Sequence, residues 1–168
     1  MTSSDVPTNP TVLNTTVLSN FSSIDRVDVL AGLSGICTVP VVREELEAGV
    51  ADHPYLSPAV DAIDECIPVA PISETVANRE AIVRGHLDPG EAQAFALADV
   101  HDGRLLTDDG DARSFSKEQG VTVVGSVGVL LAAIDAGRID EPTANEWLTT
   151  WIDDFGYYVP YRDISEYR

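Results

Sequence analysis

Basic residues are scarce in this sequence: Lys and Arg total 10 in 168 residues, and Lys117 is the single lysine. Against them stand 28 Asp and Glu, giving a formal net charge of −18. Proteins that grip nucleic acid through counterion release need a basic patch or stripe, and the sequence shows none. That mode is excluded at moderate salt. Near-molar salt changes the argument, because the Debye length shrinks to about 3 Å and a like-charged surface no longer repels a polyanion at range. The acidic excess with almost no lysine therefore reads as the solvated surface of a halophile's protein. Cysteine is nearly absent too. Cys37 and Cys66 have no CxxC or Cys/His cluster around them, which excludes a disulfide framework or a zinc finger and leaves two small apolar side chains in a reducing cytosol. His53, His86 and His101 show no metal-binding spacing. No apolar run approaches the twenty or so residues of a membrane helix, and no basic-apolar leader opens the chain. The expectation is a cytoplasmic, globular protein with no membrane partner: a disordered polar tail over residues 1–10, then one domain over residues 11–168.

What is present is an alternation. Thr11 to Leu13 is β-branched and apolar, and Val17, Phe21, Ile24, Val27, Leu30 and Leu33 then recur every three or four residues, so a strand is followed by an amphipathic helix. Ile36 to Val39 reads as a second strand, and Pro40 opens a helix that stops at Gly49. Residues 54–67 read as helix, IPVAPIS as an extended connection or edge strand, and TVANREAIVRGHL as helix. Asp88-Pro89-Gly90-Glu91 starts the helix EAQAFALADV; Arg104 to Thr107 is a strand; DARSFSKEQG is a helix; VTVVGS is a strand expected to be buried on both faces. Two further helices follow, the last beginning near Pro142 and carrying Trp147 and Trp151 at i, i+4 spacing, ahead of an aromatic tail. This aromatic end is expected to cover the domain's own sheet. Strands alternating with helices predict a parallel sheet covered on both faces. No glycine-rich loop follows the first strand, which reads LNTTVLSN, so a nucleotide-binding α/β fold is excluded.

Ligands of open α/β sheets sit outside the carboxyl ends of the strands. Asn14 lies at that end of the first strand, and Asp108 and Asp109 at that end of the LLT strand. Glu44 and Glu45 follow the second strand, and Glu91 opens the helix before LLT. Carboxylates from separate elements are what Mg²⁺ requires, since it takes oxygen ligands and keeps several waters. Each acid also has an ordinary reading: Asp88 and Glu91 have capping-box spacing, Asp109-Gly110 is a turn dipeptide, and one of Glu44 and Glu45 belongs to a solvated helix face.

The order of these motifs resembles the PIN-domain family of small metal-dependent ribonucleases. VLNTTVLSNF is similar to the family's opening strand, TVPVVREEL to its second acidic motif, and DPGEAQAFALA, RLLTDDGDAR and GVTVVGSVGVLLAAIDAGRI to the second half of its solitary or toxin-like members. The resemblance implies a three-layer α/β/α sandwich with a mostly parallel sheet. It places the family's acidic positions on Asn14, Glu45, Glu91 and Asp108, with Asp109 or Asp111 assisting and the hydroxyls of Thr16 and Thr107 supporting. Mg²⁺ or Mn²⁺ is the implied cofactor, held by Glu45, Glu91, Asp108 and Asp109, and RNA the implied substrate, met by Arg43, Arg104 or Arg113. A small antitoxin protein, a homodimer and a halophilic archaeal source complete the expectation. Asn14 departs from the pattern, because the family carries aspartate there. An amide keeps a carbonyl oxygen but removes a full negative charge, so metal affinity or catalysis should fall. A catalytically silent PIN-like module that binds RNA or a protein is the competing reading.

Overall fold

The computed structural model describes residues 6–168. Four short strands, β1 (Thr11–Leu13), β2 (Ile36–Cys37), β3 (Arg104–Leu106) and β4 (Thr122–Val124), make one parallel sheet in the order β2-β1-β3-β4. Thr11 is in register with Ile36 and Arg104, and Arg104 with Thr122. Parallel neighbours need crossovers rather than hairpins. Helices α1 (Thr15–Ser23) and α2 (Val27–Ala31) join β1 to β2. Helices α3 (Pro40–Gly49), α4 (Ser57–Glu65), α5 (Glu74–Val83) and α6 (Pro89–Val100) join β2 to β3. Helix α7 (Gly110–Glu118) leads to β4, and α8 (Ser126–Asp135) and α9 (Glu141–Phe155) follow, before a final 3-10 turn at Ile164–Tyr167. The result is the expected three-layer α/β/α sandwich. Its sheet order reverses direction between β1 and β3, where such folds open a crevice at the strands' carboxyl ends.

Helix α6 shows how sequence becomes packing. Every residue from Gly90 to Ala98 is buried, as a helix apolar all round must be, and its alanines let it lie close against β1 and β3 with α5 behind it. Asp88 and Glu91 close a complete capping box at its start, satisfying two main-chain donors that burial would otherwise leave orphaned.

Several expectations change on contact with the fold. The helix expected after β1 is two helices, broken where Asp25 adopts φ 56°; a five-residue α2 keeps the same apolar periodicity, which is why the break was silent. IPVAPIS contributes only a bridge between Thr38 and Val69. Strand β4 is not buried on both faces: it is the sheet edge, with Thr122 exposed and Val123 and Val124 half-buried. β-Branched residues suit a half-covered edge as well as a centre. Helix α9 packs on α1 and α8 rather than on the sheet, with the fully buried Trp151 ring edge-on to Phe21 at 5.0 Å and its Nε1 donating to the Asn20 carbonyl at 2.7 Å. Of the expected tail, residues 1–5 lie outside the described residues, while Val6 packs against the core and Pro10 is buried. Among the described residues no helix is long and apolar enough to cross a membrane.

Candidate functional site

The carboxyl ends of β1 and β3 are tied together by a ladder of hydroxyls. Asn14, buried at the end of β1, donates its main-chain N–H to the Leu106 carbonyl at 2.9 Å and its side-chain Nδ2 to Thr107 Oγ1 at 3.0 Å. Thr107 Oγ1 also accepts the Asp109 N–H at 3.2 Å and lies 3.3 Å from Thr16 Oγ1, which accepts the Asp108 N–H at 2.9 Å. Thr16 and Thr107 therefore fix the main chain that carries both aspartates. With two N–H groups already directed at it, the Thr107 hydroxyl has its own hydrogen free to give to Thr16.

The two adjacent aspartates have opposite surroundings. The Asp108 carboxylate receives four donors: the Ser126 N–H at 2.8 Å and the Ser126 hydroxyl, Asn20 Nδ2 at 2.9 Å, and the Tyr157 hydroxyl at 2.8 Å. It is the tie between β3, α1, α8 and the segment after α9. Burial and the nearby Asp108 charge push the Tyr157 hydroxyl well above its ordinary pKa, so it stays a donor. The Asp109 carboxylate caps α7 through the Ala112 N–H at 2.9 Å and stands near enough to Glu91 for its charge to raise the Glu91 pKa. The Glu91 carboxyl, only 8% exposed, is pushed up to about 7 by burial first, then by the Asp88 and Asp109 carboxylates, against the pull of the Asp88 N–H that it accepts. Glu45 reaches the same place from α3. Its Oε1 accepts the Thr15 hydroxyl at 2.6 Å, and its carboxylate lies against Gly90, where a Cβ would collide with it.

The sequence-predicted residues thus separate. Asn14, Glu45, Glu91 and Asp109 gather around the start of α6 and the end of β3, while Asp108 points its carboxylate away into the four-donor cage. Glu44 is exposed on α3, as is Asp111 in the first turn of α7. Among the three arginines, Arg43 is engaged by Asp64 and Glu47 on the outer side of α3. Arg104 starts β3, at the opposite end of the sheet from the acids. Arg113 alone lies beside the aspartates, donating to the Thr107 carbonyl at 3.4 Å. Sequence reasoning missed Asn20, Ser126 and Tyr157 as Asp108's partners, because their contacts span 88, 18 and 49 residues and follow no local spacing.

Oxygen donors only, two of them neighbouring carboxyls, suit a hard dication, whose charge would offset the Asp88 and Asp109 repulsion that adds to burial in raising Glu91. Among the described residues no group of three or more His, Cys, Asp or Glu is arranged to hold a metal ion; the Glu91–Asp109 pair is what the fold assembles. Beside it opens a groove of about 1030 Å³, lined by Thr15, Asp109, Arg113, Tyr157 and Tyr158 among others.

A family model described as a PIN domain matches residues 10–167. No curated protein and no solved structure matches the chain.

Proposed function

The chain belongs to the PIN-domain family, and from that premise we propose that it is the scaffold of a divalent-metal-dependent endoribonuclease, weakened by Asn14. The observation that carries the reading is the gathering of Glu45, the buried Glu91 and Asp109 at one strand-end crevice, with Glu91 raised to about 7 by burial and by its neighbouring carboxylates. Functional sites concentrate such perturbed groups, and here it stands where the sheet order reverses. Glu91 and Asp109 would hold Mg²⁺ or Mn²⁺, with Glu45 and the Asn14 carbonyl oxygen beside them. When bound, the ion supplies positive charge that activates water and offsets charge building on the phosphate. The chain's own residues position this chemistry: Thr107 and Thr16 hold the end of β3, Thr15 holds Glu45, and the Asp88 N–H holds Glu91. Asp108, assigned to the metal by the resemblance, serves instead as the anchor of the site's walls.

The test is cleavage of a mixed pool of single-stranded RNA with Mn²⁺ or Mg²⁺. Cleavage that vanishes with chelator and in Glu91→Gln is expected; no cleavage by either the natural chain or Asn14→Asp sinks the enzyme. One observation favours the second reading, a silent binding module. Asn14 uses its amide as a hydrogen-bond donor to Thr107, a role that an ionised aspartate cannot fill, so the site is internally adapted to the amide.

The finer readings are a single domain from residue 11 onward, a cytoplasmic homodimer, a halophilic archaeal source, and the role of toxin beside a small antitoxin. The −18 charge supports the source. A reading frame for a small DNA-binding protein next to this gene is expected for a toxin, and an isolated gene would count against it.

A further inference from the structure

We propose that the groove beside the acidic pair is a base-binding subsite for single-stranded RNA, with Tyr158 as its stacking surface and Arg113 as its phosphate contact. The polymer rests on the nuclease reading above; the subsite and its two residues come from the groove. At about 1030 Å³ the groove is at the upper end of small-ligand pockets, so more than one nucleotide unit has room. Asp109 and Thr15 line it, which makes it continuous with the acids rather than a separate depression.

Tyr158 is 94% exposed although the backbone around it is fixed. Gly156 caps α9 in the left-handed region at φ 69°, the Tyr157 N–H donates to the Trp151 carbonyl at 2.9 Å, and the Tyr157 hydroxyl is held by Asp108. The Tyr167 hydroxyl, which accepts the Tyr161 N–H and donates to the Tyr161 carbonyl, closes the far side of the segment. A bare aromatic face presented by a fixed main chain loses little freedom when a base stacks on it, and stacking tolerates any base.

Arg113 is the groove's cation. Six other arginines are paired with carboxylates, yet among the described residues Arg113 forms no ion pair, in a chain with 28 acids. Its half-buried guanidinium lies over Gly125, where a Cβ would strike it. A planar fork without an ion pair, lining the same groove as an exposed ring, matches the alternation of phosphate and base along one RNA strand.

The experiment measures fluorescence anisotropy of a labelled oligouridylate and of an abasic oligoribonucleotide of equal length, in chelator and molar KCl. There, long-range charge effects are screened and stacking persists. The natural chain should bind oligouridylate more tightly than the abasic oligomer. Tyr158→Ala should lose roughly five- to hundredfold of oligouridylate affinity, Tyr158→Phe should keep it, and Arg113→Ala should weaken both oligomers alike. Equal binding of the two oligomers, an unchanged preference in Tyr158→Ala, or failure to bind RNA while a protein partner occupies the groove would each overturn the subsite. Because no metal is present, bound but uncleavable RNA leaves the subsite standing while the nuclease reading falls. Cleavage by a chain whose binding ignores Tyr158 does the reverse.

Discussion

Two aspartates adjacent in sequence have been given different work by their neighbours. If Mn²⁺ binds as proposed it should raise the melting temperature, and Asp109→Asn should abolish that rise, because one carboxylate of the pair is gone. At a hundredfold excess over Kd a bound ligand adds about 2.7 kcal/mol, which for a domain of this size is a shift of roughly 5–10 °C. Asp108→Asn should keep that shift and instead lower stability by about 2 kcal/mol, since an amide nitrogen would face donors now aimed at a carboxylate. Loss of the metal shift in Asp108→Asn but not in Asp109→Asn would reverse the assignment. Asn14→Asp should raise Mn²⁺-dependent RNA cleavage by about thirtyfold if the added charge contributes about 2 kcal/mol at the transition state. In metal-free buffer the same change should destabilise, because the Nδ2–Thr107 bond goes and a carboxylate joins an acidic site. Equal cleavage rates in the two chains would mean that Asn14 is no handicap. Glu91 gives a pH signature in chelator. Its carboxyl titrates at about 7 when folded against 4.5 when exposed, so the native chain holds a proton that the unfolded chain has released. Stability contributed by that proton is full below about 4.5, declines as pH rises towards 7, and is gone above it. A span of about two and a half units is at most roughly 3 kcal/mol, so a loss of several degrees is expected. Melts in molar salt, where general charge repulsion is screened, should show this slope in the natural chain and a flatter one in Glu91→Gln; parallel curves would remove Glu91 as the source.

Among the elements, α9 and the segment after it are most informative about stability. Trp151 is fully buried against Phe21 and Tyr157, so Trp151→Ala should cost about 3–5 kcal/mol, and deletion of residues 145–168 should abolish cooperative melting. A truncated chain that stays monomeric and melts cooperatively would show that α1 and α8 do not need this cover. The same elements mark what could be read from sequence. β-Branched apolar runs, period-3.6 apolar spacing, Pro40, Gly49, the Asp88–Glu91 box and Pro142 announced nearly every strand and helix, because those signals are local. The break at Asp25 was not announced, since the apolar spacing runs through it. The edge position of β4 was not announced either, because strand order is a property of the whole sheet. At the site the residue types and their strand-end placement were legible; which way Asp108 and Asp109 turn was not. That choice is made by Asn20, Ser126 and Tyr157, brought together only by folding.

At the scale of the whole molecule the −18 charge governs the expected response to salt. Salt acts on the chain in two opposing ways. It weakens surface ion pairs such as Arg26–Asp28, Arg43–Asp64 and Arg162–Asp153, whose side chains are all more than a third exposed. It also relieves the mutual repulsion of the unpaired carboxylates. Exposed pairs of this kind contribute about 0–1 kcal/mol each, and most of the 28 acids have no basic partner, since there are only 10 Lys and Arg to share. Relief of repulsion therefore outweighs loss of pairing, because self-repulsion opposes the compact state throughout. The melting temperature should rise steadily from low to molar KCl, with most of the gain in the range where the Debye length drops from about 10 Å to about 3 Å. The metal's contribution should run the other way. Screening weakens the attraction between a dication and the carboxylates of Glu91, Asp109 and Glu45, so a Mn²⁺-induced shift in melting temperature should be larger at low salt. Melts in KCl with and without Mn²⁺ check both statements. A melting point that stays flat or falls with added KCl would show that the acidic surface is not a salt adaptation and that the fold is held by its core alone.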